Sequence, residues 1–334
     1  MKRIKDFILF LTVLAVLLSL FELIGQNFLF KDKLYFVNDI DHRMIPNSRE
    51  DINSDGIRSK VEASNFSEDA LNIIILGDSF IYGESVVYNK TIPQMLEAKV
   101  RANQPERQIN VANFGWVSSS PLLSLRLLKD IGKKYNPKIV ILTIDMTDFQ
   151  DDIKYLHLLE RKGIYSALDL IPITILTIRK TISAIGFEWL HEAVFGFPIR
   201  RFFVTDKPLS ETKSYFVYIQ NSIDKIYYFS KNELGAKFIL FVFPRGYQYS
   251  DKESPNNWEK SEYQVLGPFA HEPFKYFEQI KFKVSYPIIS LLPNFQNSNV
   301  FPTVLDDDPH WNEAGNKIAV DAIYQYCYDN GYFD

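Results

Sequence analysis

The chain has 334 residues, 46% of them hydrophobic and 23% charged, which suits one large globular domain or two small ones. A formal net charge of -4 gives no electrostatic reason to bind nucleic acid. The single cysteine, Cys327, excludes an intramolecular disulfide framework and a cysteine-rich metal site, and is expected to pack as a small apolar residue in the last helix.

At the N-terminus Lys2, Arg3 and Lys5 precede an apolar run from Phe7 to Phe21, broken only by Thr12 and Ser19 and extended past Glu22 by Leu23 and Ile24. Residues 1–29 are therefore read as an uncleaved signal anchor, because no small-x-small cleavage pattern follows in Glu22–Phe28. Basic residues stay in the cytoplasm, so the remainder is expected outside the inner membrane, single-pass, with the large domain periplasmic or extracellular. Residues 30–70 form a lead-in segment containing Asn53-Ser54-Asp55-Gly56-Ile57-Arg58-Ser59, whose Asp-Gly is a tight-turn pair. This segment is expected to wrap the domain that occupies 71–334.

Four apolar, β-branched runs punctuate that domain: Asn72–Leu76, Ile109–Ala112, Ile139–Ile144 and Phe238–Phe243. Each has the length of a buried strand. Helical stretches lie between them at Thr91–Arg101, Pro121–Tyr135 and Glu211–Leu234, and a last helix begins near Asn312. Strands alternating with helices imply right-handed crossovers and a parallel sheet covered on both faces, an α/β fold as a three-layer α/β/α sandwich. Residues 151–210 do not fit the alternation. They are read as a helical insertion whose apolar residues pack in the core, the alternatives being a cap over the site or contact with a membrane surface.

In such a sheet, ligands bind beyond the carboxyl ends of the strands. Four segments fall there or close the chain. Gly77-Asp78-Ser79-Phe80 follows the first strand and puts a serine on a strand-to-helix turn, where its hydroxyl is exposed beside backbone N–H groups. Asn113-Phe114-Gly115 follows the second strand, and Asp145-Met146-Thr147-Asp148 the third, where a side-chain donor can complete an oxyanion hole. In Asp307-Asp308-Pro309-His310, Asp307 stands three residues before His310, so one turn of chain brings its carboxylate to the imidazole and fixes the tautomer that leaves the other ring nitrogen for Ser79. Asn312 is the expected N-cap of the helix running to Tyr328. His42, His157, His191 and His271 are read as structural. Neither a metal nor a cofactor is expected, since no further histidine sits at ligand spacing from His310 and the triplet Asp306–Asp308.

Taken in this order, the segments resemble the SGNH/GDSL hydrolase superfamily over roughly residues 70–330. The resemblance implies a parallel, flavodoxin-like sheet, Ser79 as nucleophile, Asp307 and His310 as the other catalytic residues, and an oxyanion hole from the N–H groups of Ser79 and Gly115 with the side chain of Thr147. At Thr147 the family's asparagine is replaced by a hydroxyl. Asp148 and Trp311 are candidate substrate contacts, and Tyr247, Tyr249 and Trp258 candidate sugar-stacking rings. The anchored layout, the Asn53–Arg58 lead-in and the closing Asp308-Pro309-His310-Trp311-Asn312 look like bacterial envelope members that modify polysaccharides. The expectation is a membrane-anchored serine esterase acting on acyl esters, chiefly O-acetyl, of a glycan or small ester. Polysaccharide O-acetyl transfer through the same triad, or a non-catalytic glycan-binding or assembly role, are the alternatives.

Overall fold

The computed structural model describes residues 2–29, 34–37, 41–160, 174, 177, 178, 181, 185, 188–253, 257, 259 and 262–334. Helix α1 (Lys2–Leu29) is followed by an antiparallel pair, β1 (Leu34–Val37) and β2 (Asp41–Met44). The main sheet contains β3 (Leu71–Gly77), β4 (Ile109–Gly115), β5 (Ile139–Ile144), β6 (Lys237–Val242) and β7 (Ile288–Ser290), all parallel, in the order β4-β3-β5-β6-β7. This is the flavodoxin-like order, in which the connections leave the sheet on opposite sides at the β3/β5 boundary and open a crevice there.

The central strands are largely apolar because both faces are covered, and the polar residues within them are few: Asn72, Asn110, Asn113 and Thr143. Every residue of β3, β4 and β5 is buried. Each fully buried Ile, Leu or Val side chain contributes about 1.5–3 kcal/mol. The helices fall into two sets. Helix α4 (Pro121–Ile131) and α5 (Asp148–Glu160) pack on the long helix α7 (Leu209–Asn232), while α3 (Ile92–Asn103) packs on the last helix, α11 (Glu313–Asp329). The result is the expected α/β/α sandwich.

All four expected strands are present, three of them within one residue of their predicted ends, while β4 runs three residues past Ala112 to Gly115. The fifth, β7, is only three residues long and follows Pro287, so it carries little apolar periodicity; its partner is the edge of β6. Asn312 caps α11 as expected, its Oδ1 accepting from the N–H groups of Ala314 at 2.9 Å and Gly315 at 3.2 Å. Cys327 is buried in that helix, and burial pushes its thiol up to about 12.

The lead-in packs on the domain. Ile57 and Phe66 join the same core as the sheet, and Asn53 Nδ2 donates to the hydroxyl of Tyr135 at 3.0 Å. In the stretch 151–210, α5 continues from β5, and α6 (Glu188–Phe195) follows beyond it. Phe195, Phe197, Phe202 and Phe203 enter the core, whereas Ile178, Ile185, Trp189 and Val194 stay exposed, so core packing accounts for only part of its apolar content.

Candidate active site

The chain leaves β3 at Gly77 and turns at once into α2 (Ser79–Tyr82). Asp78 is its N-cap, Oδ1 accepting from Phe80 N–H at 2.9 Å, and Gly83 ends it in the left-handed region at φ 80°. Ser79 is thus the first residue of a helix at the carboxyl edge of a central strand, a position whose N–H has no acceptor within the helix.

Beside it, β4 ends in register with β3, Gly77 opposite Gly115. A Cβ on Gly115 would lie 2.2 Å from Tyr82 N and 2.6 Å from the carbonyl carbon of Ile81. Only glycine lets α2 sit this close to the strand end. The N–H of Gly115 donates to Asn113 Oδ1 at 3.0 Å, and Asn113 Nδ2 donates to Ile81 O at 2.9 Å. In this arrangement the pair ties β4 to the nucleophile turn, and the Gly115 N–H is engaged locally.

From the opposite end of the chain, His310 reaches Ser79. The hydroxyl of Ser79 lies 2.7 Å from His310 Nε2, and His310 Nδ1 lies 2.5 Å from Asp308 Oδ1. The carboxylate fixes the proton on Nδ1, which leaves Nε2 as acceptor for the serine. Asp307, the expected partner, is exposed. The reason is local geometry. The segment is a loop closed by Leu305 N–H to His310 O at 3.0 Å and by the Val304–Trp311 bridge, rather than a helical turn. In such a loop a carboxylate meets the residue two positions on, and Asp308 Oδ1 also accepts the His310 N–H at 2.9 Å. Burial alone would raise the Asp308 carboxyl, but the hydrogen bonds from His310 outweigh it and hold it below the usual range.

Three further expectations change. The Thr147 hydroxyl donates to Asp145 Oδ1 at 2.6 Å and its N–H to the same oxygen at 2.7 Å, so Thr147 closes the turn after β5 instead of presenting a donor to a substrate. Asp148 is 1% exposed and accepts the Asp145 N–H at 2.7 Å, beneath the site rather than in contact with a ligand. Trp311 is also 1% exposed, stacked on Phe295 at 4.4 Å and edge-on to Phe80 at 4.7 Å. It seats Phe80 and the His310 loop. Tyr247 and Tyr249 are likewise buried, and Trp258 lies outside the described residues.

Under the serine turn sit Asp78, Asp145 and Asp148, each offering a carboxylate oxygen within 4.8 Å of the others. Burial, and then the charge of Asp145, pushes Asp78 up to about 7; burial and the charges of Asp78 and Asp145 push Asp148 well above the carboxylate range. Arg245, three residues beyond β6, supplies the compensating cation. It pairs with Asp145 and, at 2.7 Å, with Glu259, and its guanidinium lies 5.1 Å from the ring centres of both Phe80 and Phe202. The three acids have the donor chemistry to hold a cation, but each already accepts a backbone N–H in the turns after β3 and β5.

The lead-in also enters the site. Arg58 is buried, its Nε donating to Asp51 at 2.9 Å, one terminal nitrogen to Tyr82 O at 3.0 Å and Gly83 O at 2.6 Å, and the other to Val86 O at 2.9 Å. It thus gathers the carbonyls at the end of α2. Met44, Gly56 and Arg58 form one wall of a narrow cleft whose other wall includes Gly115, Trp116 and Val117. A larger cavity, about 400 Å³, opens at the other end of the sheet near Ile109 and Arg107 and contains none of these residues.

Asp308, Asp78, Arg245 and the use of Arg58 go beyond the site expected from the sequence. Arg245 had a signal, a lone cation directly after an apolar strand, in Phe243-Pro244-Arg245.

No protein-family model matches the chain, and no curated protein matches it. Among solved structures, it is similar to a member of the lipolytic G-D-S-L family from Veillonella parvula, at 12% identity over 77% of this chain and 97% of that one, with a TM-score of 0.40. It is also similar to the psychrotrophic esterase EstA from a Pseudoalteromonas species, at 15% identity over 76% and 94%, with a TM-score of 0.40. A two-domain esterase active on acetylated mannans matches at 11% identity over 80% and 51%, with a TM-score of 0.45.

Proposed function

We propose that this chain is an SGNH/GDSL-type serine esterase that removes acyl groups, chiefly O-acetyl, from a glycan on the outer side of the inner membrane. The observation that carries the chemistry is the hydrogen-bonded run from Ser79 Oγ to His310 Nε2 and from His310 Nδ1 to Asp308. The choice of a glycan as carrier rests on the likeness of the lead-in and closing motifs to envelope polysaccharide-modifying proteins.

In the reaction, His310 Nε2 takes the Ser79 hydroxyl proton as Oγ bonds to the ester carbonyl carbon. Asp308 remains ionised and stabilises the imidazolium. The developing oxyanion meets the Ser79 N–H, with the Gly115 N–H joining when it exchanges Asn113 Oδ1 for the substrate oxygen. Collapse breaks the bond to the sugar oxygen, which takes the proton from His310. A water then repeats the sequence on acyl-Ser79, giving its proton to His310 and releasing the carboxylic acid and the free serine.

Incubation with a fluorophosphonate followed by peptide mass spectrometry tests this reading. Modification of Ser79 supports it, and its absence under conditions that keep the protein folded contradicts it. Supplying an acetyl donor and a glycan acceptor in the same experiment separates hydrolysis, which releases acetate, from transfer to the sugar hydroxyl.

A further inference from the structure

The N-terminal helix carries one acid in an otherwise apolar run, and that acid is in use. Phe10, Leu17 and Leu23 on α1 are 61%, 57% and 64% exposed, while Glu22 is 5% exposed. Its Oε2 accepts both the N–H of Thr174 at 2.9 Å and the Thr174 hydroxyl at 2.8 Å. An ionisable group in a membrane helix is costly unless it finds such donors, and here the donors come from the stretch 151–210. A helix rises about 1.5 Å per residue, so Glu22 stands about 25 Å along the axis from Lys5, near the far boundary of a hydrocarbon layer about 30 Å thick.

Beyond Thr174 the same stretch presents Ile178, Ile185, Trp189 and Val194 to its surroundings, Trp189 being 71% exposed. Among the described residues of the stretch, Phe195, Phe197, Phe202 and Phe203 are in the core. The exposed set starts where the chain touches the end of α1, and a tryptophan among aliphatic residues is the composition of a bilayer interface. We infer that this face lies on the outer-leaflet surface of the bilayer that α1 spans, fastened to the anchor through Glu22 and Thr174. The occupant of the face is lipid. This inference rests on the anchored reading.

The test uses the full chain in vesicles of phosphatidylethanolamine and phosphatidylglycerol, with and without brominated acyl chains. Flotation reports anchoring, and the fluorescence difference between wild type and Trp189→Phe reports the face. The expected result is flotation of both proteins, with brominated lipid removing more than half of the Trp189 component. As a second probe, Ile185→Cys labelled with a polarity-sensitive dye shifts to the blue when vesicles are added. Flotation with no quenching of Trp189 and no dye shift overturns the inference while leaving the anchor intact. Failure to float overturns both. Trp189 shielded from aqueous iodide and from brominated lipid alike means that protein, such as a second copy, covers the face, and this also overturns it.

Discussion

Asp308 Oδ1 lies 2.5 Å from His310 Nδ1, while the adjacent Asp307 points to solvent. Two neighbouring carboxylates in one loop are thus given different tasks by geometry alone. Replacing Asp308 by Asn keeps the volume but removes the charge and the tautomer control, and the expected loss in kcat is about 10³- to 10⁴-fold. Asp307→Asn is expected to stay within about a factor of two, as exposed substitutions do. Steady-state kinetics of the two variants on one acetyl ester decides between them; equal losses would return the role to Asp307.

Thr147 occupies the position where the resemblance placed an oxyanion donor, yet its hydroxyl donates to Asp145. Losing a true oxyanion donor costs about 10²- to 10³-fold in rate. Thr147→Val is therefore expected to cost less than about tenfold in kcat, with a loss of stability of about 1 kcal/mol from the broken hydrogen bond. A hundredfold loss in kcat at unchanged stability would show that the hydroxyl turns to the substrate.

Arg58 binds three carbonyls at the end of the nucleophile helix and one carboxylate in the lead-in. Arg58→Ala removes four bonds, although Asp51 keeps Arg49 and Gly83 O keeps the Val86 N–H, and the expected destabilisation is about 1–3 kcal/mol. Arg58→Lys keeps the charge without the fork, so it should recover part of the stability and less of the kcat. Thermal melts and kinetics on the same preparations check this. Full activity in a folded Arg58→Ala protein would mean that the lead-in does not position Ser79.

Asp78 gives a pH signature whose sign is fixed by its surroundings. Its carboxyl is pushed up to about 7 from an ordinary 3.8, by burial first and then by Asp145, while Arg245 and His310 oppose the rise; neighbouring Asp148 is raised too. A raised carboxyl binds its proton more tightly folded than unfolded, so its contribution to stability is complete below about pH 4 and fades as the pH rises to about 7. Asp78→Asn, which preserves the cap to Phe80, removes that dependence. Melting temperatures from pH 4 to 8 are expected to fall less steeply for Asp78→Asn than for wild type. Parallel curves would refute the burial-driven shift.

The sandwich was legible because β3 and β5 are apolar but for Asn72 and Thr143, and β4 is apolar from Val111 to Ala112, a pattern that suits strands covered on both faces. Ser79 and His310 were legible for a similar reason: a serine directly after such a strand and a histidine before the final helix fall at the sheet's carboxyl edge whatever the loop details. The choice of Asp308 was not legible, since it depends on a loop closed by the Val304–Trp311 bridge, a pairing no spacing announces. Thr147 and Trp311 were misplaced in the same way. Both stand next to chemistry in sequence, and their side chains turn to Asp145 and Phe295, partners fixed only by the packed fold. Arg58 was visible as a residue but not as a clamp, because three of its four acceptors are backbone carbonyls, which carry no sequence signal.

Hydrolysis of a simple acetyl ester by the full chain and by Ser79→Ala is the most direct measurement of whether Ser79 is the nucleophile that His310 activates. The variant is expected to fold with the wild-type melting profile and to lose at least about 10³-fold in kcat. Wild-type turnover by Ser79→Ala would contradict it.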